Sequence, residues 1–217
     1  MLNSTGTGPR IVRGKPPKRT FTENTYRKAL PYLLRDFERR CAYSQQHTDR
    51  GIGERTMEID HFDPTLTGRD RNRYDNLFLG TRHCNGSKSR IWPTPNDRKK
   101  GIRILNPCEE LDYGNHIFEH PETHRLVGVT PAGDYHITAC DLNASHLVME
   151  RLERAEIHEL LHEVPIVIRE GDSSLLPEYS ALLTQQLEKM IPMIPYLPKS
   201  SPKYDQELQL YKLMTSK

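Results

Sequence analysis

Apolar residues recur at helical spacing over 23–40, where Tyr26, Ala29, Leu30, Leu33, Leu34 and Phe37 form one stripe. Thr22 is placed to cap this helix, and Pro31 should kink it or divide it into two shorter helices. The helical period disappears over 41–64. There Met57-Glu-Ile-Asp-His-Phe62 alternates as a short strand, with Met57, Ile59 and His61 on one side. Residues 64–76 read as a polar, basic loop, and a short helix is predicted from near Asn85 to the Pro93–Pro95 breaker. The pattern over 116–140 predicts a hairpin with its turn near Pro131-Ala-Gly133-Asp134. From Asp141 a helix is predicted to 163, its apolar face formed by Leu147, Met149, Leu152, Ile157, Leu160 and Leu161. A last helix over 176–191 runs into a Pro-rich stretch. The expected organisation is a basic flexible arm (1–20), an N-terminal helix (21–40), a mixed core (41–103), a loop with a hairpin (104–140) and a helical C-terminal region (141–217). The fold class is α+β, and no repeat period is visible.

Composition narrows the class. Apolar residues make up 35% of the 217 positions, against roughly 45–50% in an average globular chain. The predicted core is therefore modest, with part of the chain outside it. No apolar run approaches the ~18 residues of a membrane span. The segment MLNSTGTGPR lacks an apolar signal core, and four cysteines do not suggest a secreted disulfide framework. A cytoplasmic, membrane-free protein is expected.

The net charge of +2 conceals a strong polarity. Residues 10–40 hold ten Lys/Arg against three acids, and 69–103 again hold ten against three. Between them, 41–68 hold two against five, and beyond them 104–179 hold four against fifteen. Basic blocks of this kind attract a polyanion through counterion release, without reading sequence. The acidic segment is either solvated or a docking surface.

The chemistry-bearing residues lie in 41–92. In order they are Cys41-Ala-Tyr-Ser44, Met57-Glu-Ile-Asp60-His61-Phe-Asp-Pro64, Tyr74-Asp-Asn76-Leu77 and Arg82-His-Cys84-Asn85-Gly-Ser-Lys88. Each piece alone reads as a turn or a structural histidine; the ordered set resembles the HNH endonuclease (ββα-metal) family. That resemblance implies a ββα-metal core with N- and C-terminal helical extensions and a small β-hairpin. It assigns Asp60 and Asn85 to a divalent cation, Mg²⁺ or Mn²⁺, and His61 to general-base activation of water. It gives Asn76 the bracing of the loop and of the base. Adjacent residues leave opposite faces of a strand, so His61 is spared from the metal, and an imidazole titrates near neutral pH. Arg82, Lys88, Arg69, Arg71 and Arg73 are candidates for phosphate contact.

The chain departs from the relatives that carry a zinc knuckle of two CxxC pairs. Ser44 and Thr81 stand where two of the four thiolates would be, so a structural zinc is not expected; a packed contact between Cys41 and Cys84 is. His116, His120 and His124 are spaced by four, but Pro121 interrupts them and the spacing reads as chance. Trp92 reads as a core anchor, and Cys108 and Cys140 as inert thiols.

Beyond the core, Ile11-Val-Arg-Gly-Lys-Pro-Pro17 and Ile137-Thr-Ala-Cys-Asp-Leu-Asn143 resemble the HNH subunits of the bacterial Septu antiphage system, also found beside retrons (PtuB-like). This implies an ABC/SMC-like ATPase partner, possible association with a retron reverse transcriptase–msDNA assembly, and DNA as substrate, with RNA such as tRNA open. Two other readings stand beside it: a non-catalytic nucleic-acid-binding adaptor that scaffolds the ATPase, and a standalone restriction or homing nuclease.

Overall fold

A computed structural model describes residues 11–50, 53–110 and 115–156. The chain is α+β, combining short helices with two small antiparallel sheets. The segment expected as a flexible arm is anchored from Ile11 to Arg13. Ile11 N donates to Pro107 O (2.9 Å). Arg13 donates to the carbonyls of Asp75 (3.1 Å) and Leu77 (2.5 Å). Its guanidinium lies over the rings of Phe37, Tyr74 and Phe78, which adds cation–π attraction to those bonds.

Pro31 divides the first helical stretch, as the sequence suggested. A 3₁₀ turn over Tyr26–Ala29 leads into α1, Leu30–Asp36, with Pro31 in its first turn. There the missing N–H costs nothing, because first-turn donors lack intrahelical partners anyway. Leu33, Leu34 and Phe37 are buried. The helix ends in a Schellman motif without glycine: Arg39 N donates to Leu34 O (2.8 Å) and Glu38 N to Arg35 O (3.2 Å), with Glu38 and Arg39 at positive φ. Residues 41–45 then turn tightly, and Ala42 N donates to Leu79 O (2.7 Å), which docks the turn on the sheet.

The sheet pairs β1, Met57–His61, with β2, Leu77–Thr81, in antiparallel register that sets Asp60 opposite Phe78 and His61 opposite Leu77. The connection contains α2, Gly68–Arg71, and a 3₁₀ turn over Tyr74–Asn76. Every residue of β2 is buried. Thr81 ends the strand and caps α3, Arg82–Lys88, its hydroxyl accepting from Cys84 N (3.3 Å). This helix starts earlier than Asn85 because Thr81 supplies the cap, and it packs on both strands. A Thr94/Asp97 capping box opens α4, Pro95–Lys99.

The second unit corrects one expectation. A hairpin is present, β3 (Ile117–Glu119) with β4 (Leu126–Gly128), but its turn lies over 120–125. Pro131 instead opens α5, Pro131–Ala139, with the Thr130 hydroxyl accepting from Gly133 N (3.1 Å). Thr-Pro is an N-cap followed by a first helical residue, and this local signal outranks the turn reading of Pro-Ala-Gly-Asp. Gly133 lets α5 cross the hairpin closely, since a Cβ there would lie 1.9 Å from His116 O.

The helix expected from Asp141 begins at 145 and is described to 156. Its buried positions are Leu147, Glu150, Arg151 and Arg154, whereas Met149 is 52% exposed. Of the expected apolar face Leu147 is buried, Leu152 half-buried and Met149 exposed, and Glu150, Arg151 and Arg154 are buried beside Leu147. Arg151 donates to the carbonyls of His124 (2.6 Å) and Leu142 (3.1 Å). Arg154 pairs with Glu119. Glu150 accepts from Gln46 (2.9 Å), and Glu153 pairs with Arg50, so these acidic groups are engaged inside the molecule. The expected positions Ile157, Leu160 and Leu161 and the helix over 176–191 lie outside the described residues. No helix among the described residues is long and apolar enough to cross a membrane.

Candidate functional site

The end of β1, the turn at 41–45 and α3 bring together Tyr43, Glu58, Asp60, Asn85 and Lys88. Strand alternation puts Glu58 and Asp60 on one face of β1, where α3 packs. Gly80 leaves room on β2: a Cβ there would lie 3.6 Å from both Asn85 Cβ and Tyr43 Cε2.

Asp60 is 4% exposed. Its Oδ2 accepts from the Tyr43 hydroxyl and from Lys88 Nζ at 2.9 Å. Burial raises its carboxyl above the ordinary aspartate value, outweighing the opposing pull of Lys88 and Tyr43. Both described bonds fall on Oδ2, leaving Oδ1 as an acceptor.

Asn85 donates through Nδ2 to Glu58 Oε2 (2.8 Å), and Arg82 Nε donates to Glu58 Oε1 (3.0 Å). Glu58 thus orients the Asn85 amide with its nitrogen committed and its carbonyl oxygen unengaged. Asp60 Oδ1 and Asn85 Oδ1 are hard oxygens, the donor type that Mg²⁺ and Mn²⁺ prefer. Groups of three or more His, Cys, Asp or Glu able to hold a metal are absent among the described residues.

His61 is half-buried at the strand end, its ring 5.0 Å from that of Tyr26. Its Nε2 lies 3.1 Å from Asn72 Oδ1. Asn72 Nδ2 donates to Glu23 Oε2 (3.3 Å) and Gly68 O (3.4 Å), so the Asn72 oxygen is the acceptor. In that arrangement Nε2–H of His61 donates to Asn72 Oδ1, and Nδ1 is the ring nitrogen turned away from Asn72. Asn76 braces the loop: its Oδ1 accepts from Asp63 N (2.8 Å), and its Nδ2 donates to Arg71 O (2.9 Å) and Asp63 O (3.3 Å). The side-chain partner of His61 is therefore Asn72.

One phosphate candidate changes role. Lys88 is 0% exposed, and its ammonium is bound to Asp60 and to His61 O (3.1 Å). Enclosed in this way it is an internal counter-ion, out of reach of a phosphate in solvent. Arg82, Arg69 and Arg73 are exposed; Arg73 is paired with Asp75 (2.5 Å), and Arg71 lies 4.0 Å from Glu23.

The positions that would form a zinc knuckle also converge, but on hydrogen bonds. Thr81 Oγ1 lies 3.8 Å from Cys41 Sγ, and Cys41 also receives bonds from Cys84 and Ser44. Burial raises the Cys41 thiol, yet these donors outweigh it and lower its pKa. Cys84 is driven the other way by donating to Cys41 and by burial. The expected Cys41–Cys84 contact is present, with Cys41 as acceptor. Cys140 is buried with its thiol pushed up, and Cys108 is pushed up to about 11, both by burial.

His116, His120 and His124 have separate partners. His116 bonds Thr130 (2.8 Å), His124 bonds Glu119 (2.8 Å), and His120 Nδ1 accepts from the backbone of Glu122 and Thr123 (3.2 Å each). His83 bonds Asp141 O (3.2 Å) and stacks edge-on against His146 (4.6 Å). Trp92 packs edge-on to Phe62 (5.4 Å).

Sequence reasoning did not single out Tyr43, Glu58 or Asn72 as members of the site. Period-two alternation from Asp60 points to Glu58, while Tyr43 and Asn72 carry no local signal that distinguishes them from ordinary turn residues. No protein-family model matches the chain, and a search of curated proteins returns no match.

Proposed function

We propose that the chain is a metal-dependent endonuclease of the HNH type, with β1, β2 and α3 as a ββα-metal core, hydrolysing phosphodiester bonds of DNA or RNA. The carrying observation is an oriented imidazole, His61 held by Asn72 at 3.1 Å, beside a β1–α3 packing that carries Asp60 on the strand and Asn85 on the helix. His61 Nδ1 takes the proton of a water as its oxygen attacks phosphorus; the P–O bond to the leaving oxygen breaks, and that oxygen is protonated from solvent. Asp60 and Asn85 would hold the cation, which when bound supplies charge neutralisation for the phosphate and the leaving oxygen. Arg82 and the Arg69–Arg73 loop provide backbone contacts that carry no sequence preference.

In keeping with the Septu resemblance, the chain is read as the nuclease subunit of an antiphage complex with an ABC/SMC-like ATPase, with a retron assembly as a further partner. The Lys88–Asp60 ion pair, which already neutralises that carboxylate, favours the adaptor reading, and one experiment separates the two. His61→Ala should abolish Mg²⁺-dependent cleavage of plasmid or RNA while leaving the melting temperature and ATPase co-purification unchanged. Cleavage that survives the substitution refutes the assignment; a wild-type complex with no cleavage on any nucleic acid selects the adaptor.

A further inference from the structure

A cavity of about 270 Å³ lies on the Asn72 side of His61, between the N-terminal arm and the α2 loop, lined in part by Pro16, Arg19, Phe21, Arg69, Asn72 and Tyr74. Asn72 joins it to the base: one wall of the cavity is the residue whose oxygen accepts from His61 Nε2. The apolar wall comes from Pro16 and the accessible parts of two rings, Phe21 being 4% exposed and Tyr74 carrying the Arg13 guanidinium on its ring (4.6 Å). Phe21 and Tyr74 sit 6.1 Å apart, tilted by 32°, and Tyr74 is held by its hydroxyl bond to Asp36 (2.8 Å), so its ring is fixed. The charged lining is Arg19, Arg69, Arg73 and the carboxylate of Asp75, a net positive set. Arg19 lies over the Phe21 ring (5.9 Å), and among the described residues neither Arg19 nor Arg69 has a carboxylate partner. Both are exposed. Arg73, by contrast, is neutralised by Asp75.

We propose that this cavity is a subsite for one unpaired nucleotide of the substrate strand, with its base against the Pro16–Phe21–Tyr74 wall and its flanking phosphates on Arg19 and Arg69. The size admits a single base: at ~30 Å³ per water it holds about nine waters. The wall selects an unpaired base, because a duplex buries base faces in its own stack and offers only edges and backbone. Unneutralised guanidinium groups suit phosphate through paired N–H donors. Asn72 lies on the Nε2 side of His61, so the subsite would hold a nucleotide on that side of the base, which rests on the nuclease reading above. The consequence is a preference for single strands, loops or frayed ends over continuous duplex, set by the arm as much as by the nuclease core.

The test uses the full chain with EDTA present and a short fluorescein-labelled oligonucleotide carrying one 5-iodouracil, single-stranded or annealed, as DNA and as RNA. Ultraviolet irradiation should cross-link the single strand to the peptide containing Phe21 or Tyr74, and the duplex should give little product. In anisotropy titrations Arg19→Glu with Arg69→Glu should weaken single-strand binding at least about tenfold. It should also flatten the slope of log K against log salt by about 1.4, at about 0.7 per lost phosphate contact. Because both side chains are exposed and, among the described residues, make no ion pair, the melting temperature should change little, Arg19 losing only its contact over the Phe21 ring. Equal affinity in the double variant, equal binding of duplex, or cross-links mapping elsewhere overturns the subsite. Cleavage in Mg²⁺ reports separately. Cutting with cross-links elsewhere removes the subsite and leaves the nuclease; a cross-linked pocket without cutting removes the nuclease and leaves a single-strand binding site.

Discussion

Lys88→Met offers the sharpest stability test, because it removes the cation from a pair that is closed to water. Lys88 is 0% exposed and Asp60 4%, with 2.9 Å between Nζ and Oδ2. Removing one partner of a buried pair costs about 3–5 kcal/mol at neutral pH, since the remaining charge keeps its desolvation penalty. The carboxyl of Asp60 is already raised by burial in the native protein. Without Lys88 it rises further, while the unfolded chain retains a value near 3.9. Between the unfolded and folded values the native state holds a proton that the unfolded state has released. Stability in that interval falls as pH rises, by ~1.4 kcal/mol per unit, and levels off above the folded value. The wild type follows the same course but stops at its lower folded value. The gap between the two proteins is therefore small in acid, opens above the wild-type value, and reaches its plateau above the variant's value. Urea unfolding followed by Trp92 fluorescence, between about pH 5 and pH 8, measures this gap. A gap below about 1 kcal/mol at neutral pH, or one that does not widen with pH, refutes the account. Asp60→Asn in the Lys88→Met background should recover most of the loss, because it removes the stranded charge as well.

Three further outcomes are expected. Asn72→Ala should lower kcat by about 100-fold with KM nearly unchanged, through loss of imidazole orientation. Asn72→Asp keeps the acceptor and should move the acid limb of the pH–rate profile to higher pH, since an added carboxylate favours the imidazolium; an unmoved limb counts against the His61–Asn72 pairing. Gly133→Ala should cost about 3 kcal/mol by forcing α5 off the hairpin, whereas Gly86→Ala, with nothing within 4 Å of its new Cβ, should be neutral or stabilising; equal melting temperatures for the two variants contradict the close crossing. Dialysis against EDTA should leave the melting temperature unchanged, because Ser44 and Thr81 bond Cys41 where thiolates would bind zinc; a large drop refutes the hydrogen-bonded cluster.

Several features were legible because the physics that sets them is local. The alternation of Met57–His61 and Pro31 inside an apolar helical period lead directly to β1 and the divided first helix, whereas the Cys41–Cys84 contact was expected only through the family resemblance. Signals that compete locally were harder to read. Thr130-Pro131 and Pro-Ala-Gly-Asp support a helix start and a turn respectively, and the crossing of α5 over the hairpin at Gly133 accompanies the helix start. The buried face of the helix beginning at 145 shows another limit: periodicity locates a face but does not say that charged residues will occupy it. Glu150, Arg151 and Arg154 can be buried only because Gln46, Glu119 and the carbonyls of His124 and Leu142, distant in sequence, meet them.

The candidate site divides along the same line. The resemblance of the residue order to the HNH family grouped Asp60, His61, Asn76 and Asn85 in one constellation, with strand, loop and helix following each other within about thirty residues. Only the tertiary structure decided their states. It turned Lys88 inward as the counter-ion of Asp60, set the Asn72 side chain on the His61 ring while Asn76 bonds the backbone of Phe62 and Asp63, and used Glu58 to orient Asn85. It also set Arg19 of the arm beside Arg69 of the loop. Chain order says which side chains are near enough to meet; burial, and the requirement that each buried polar group find a partner, decides which of them do.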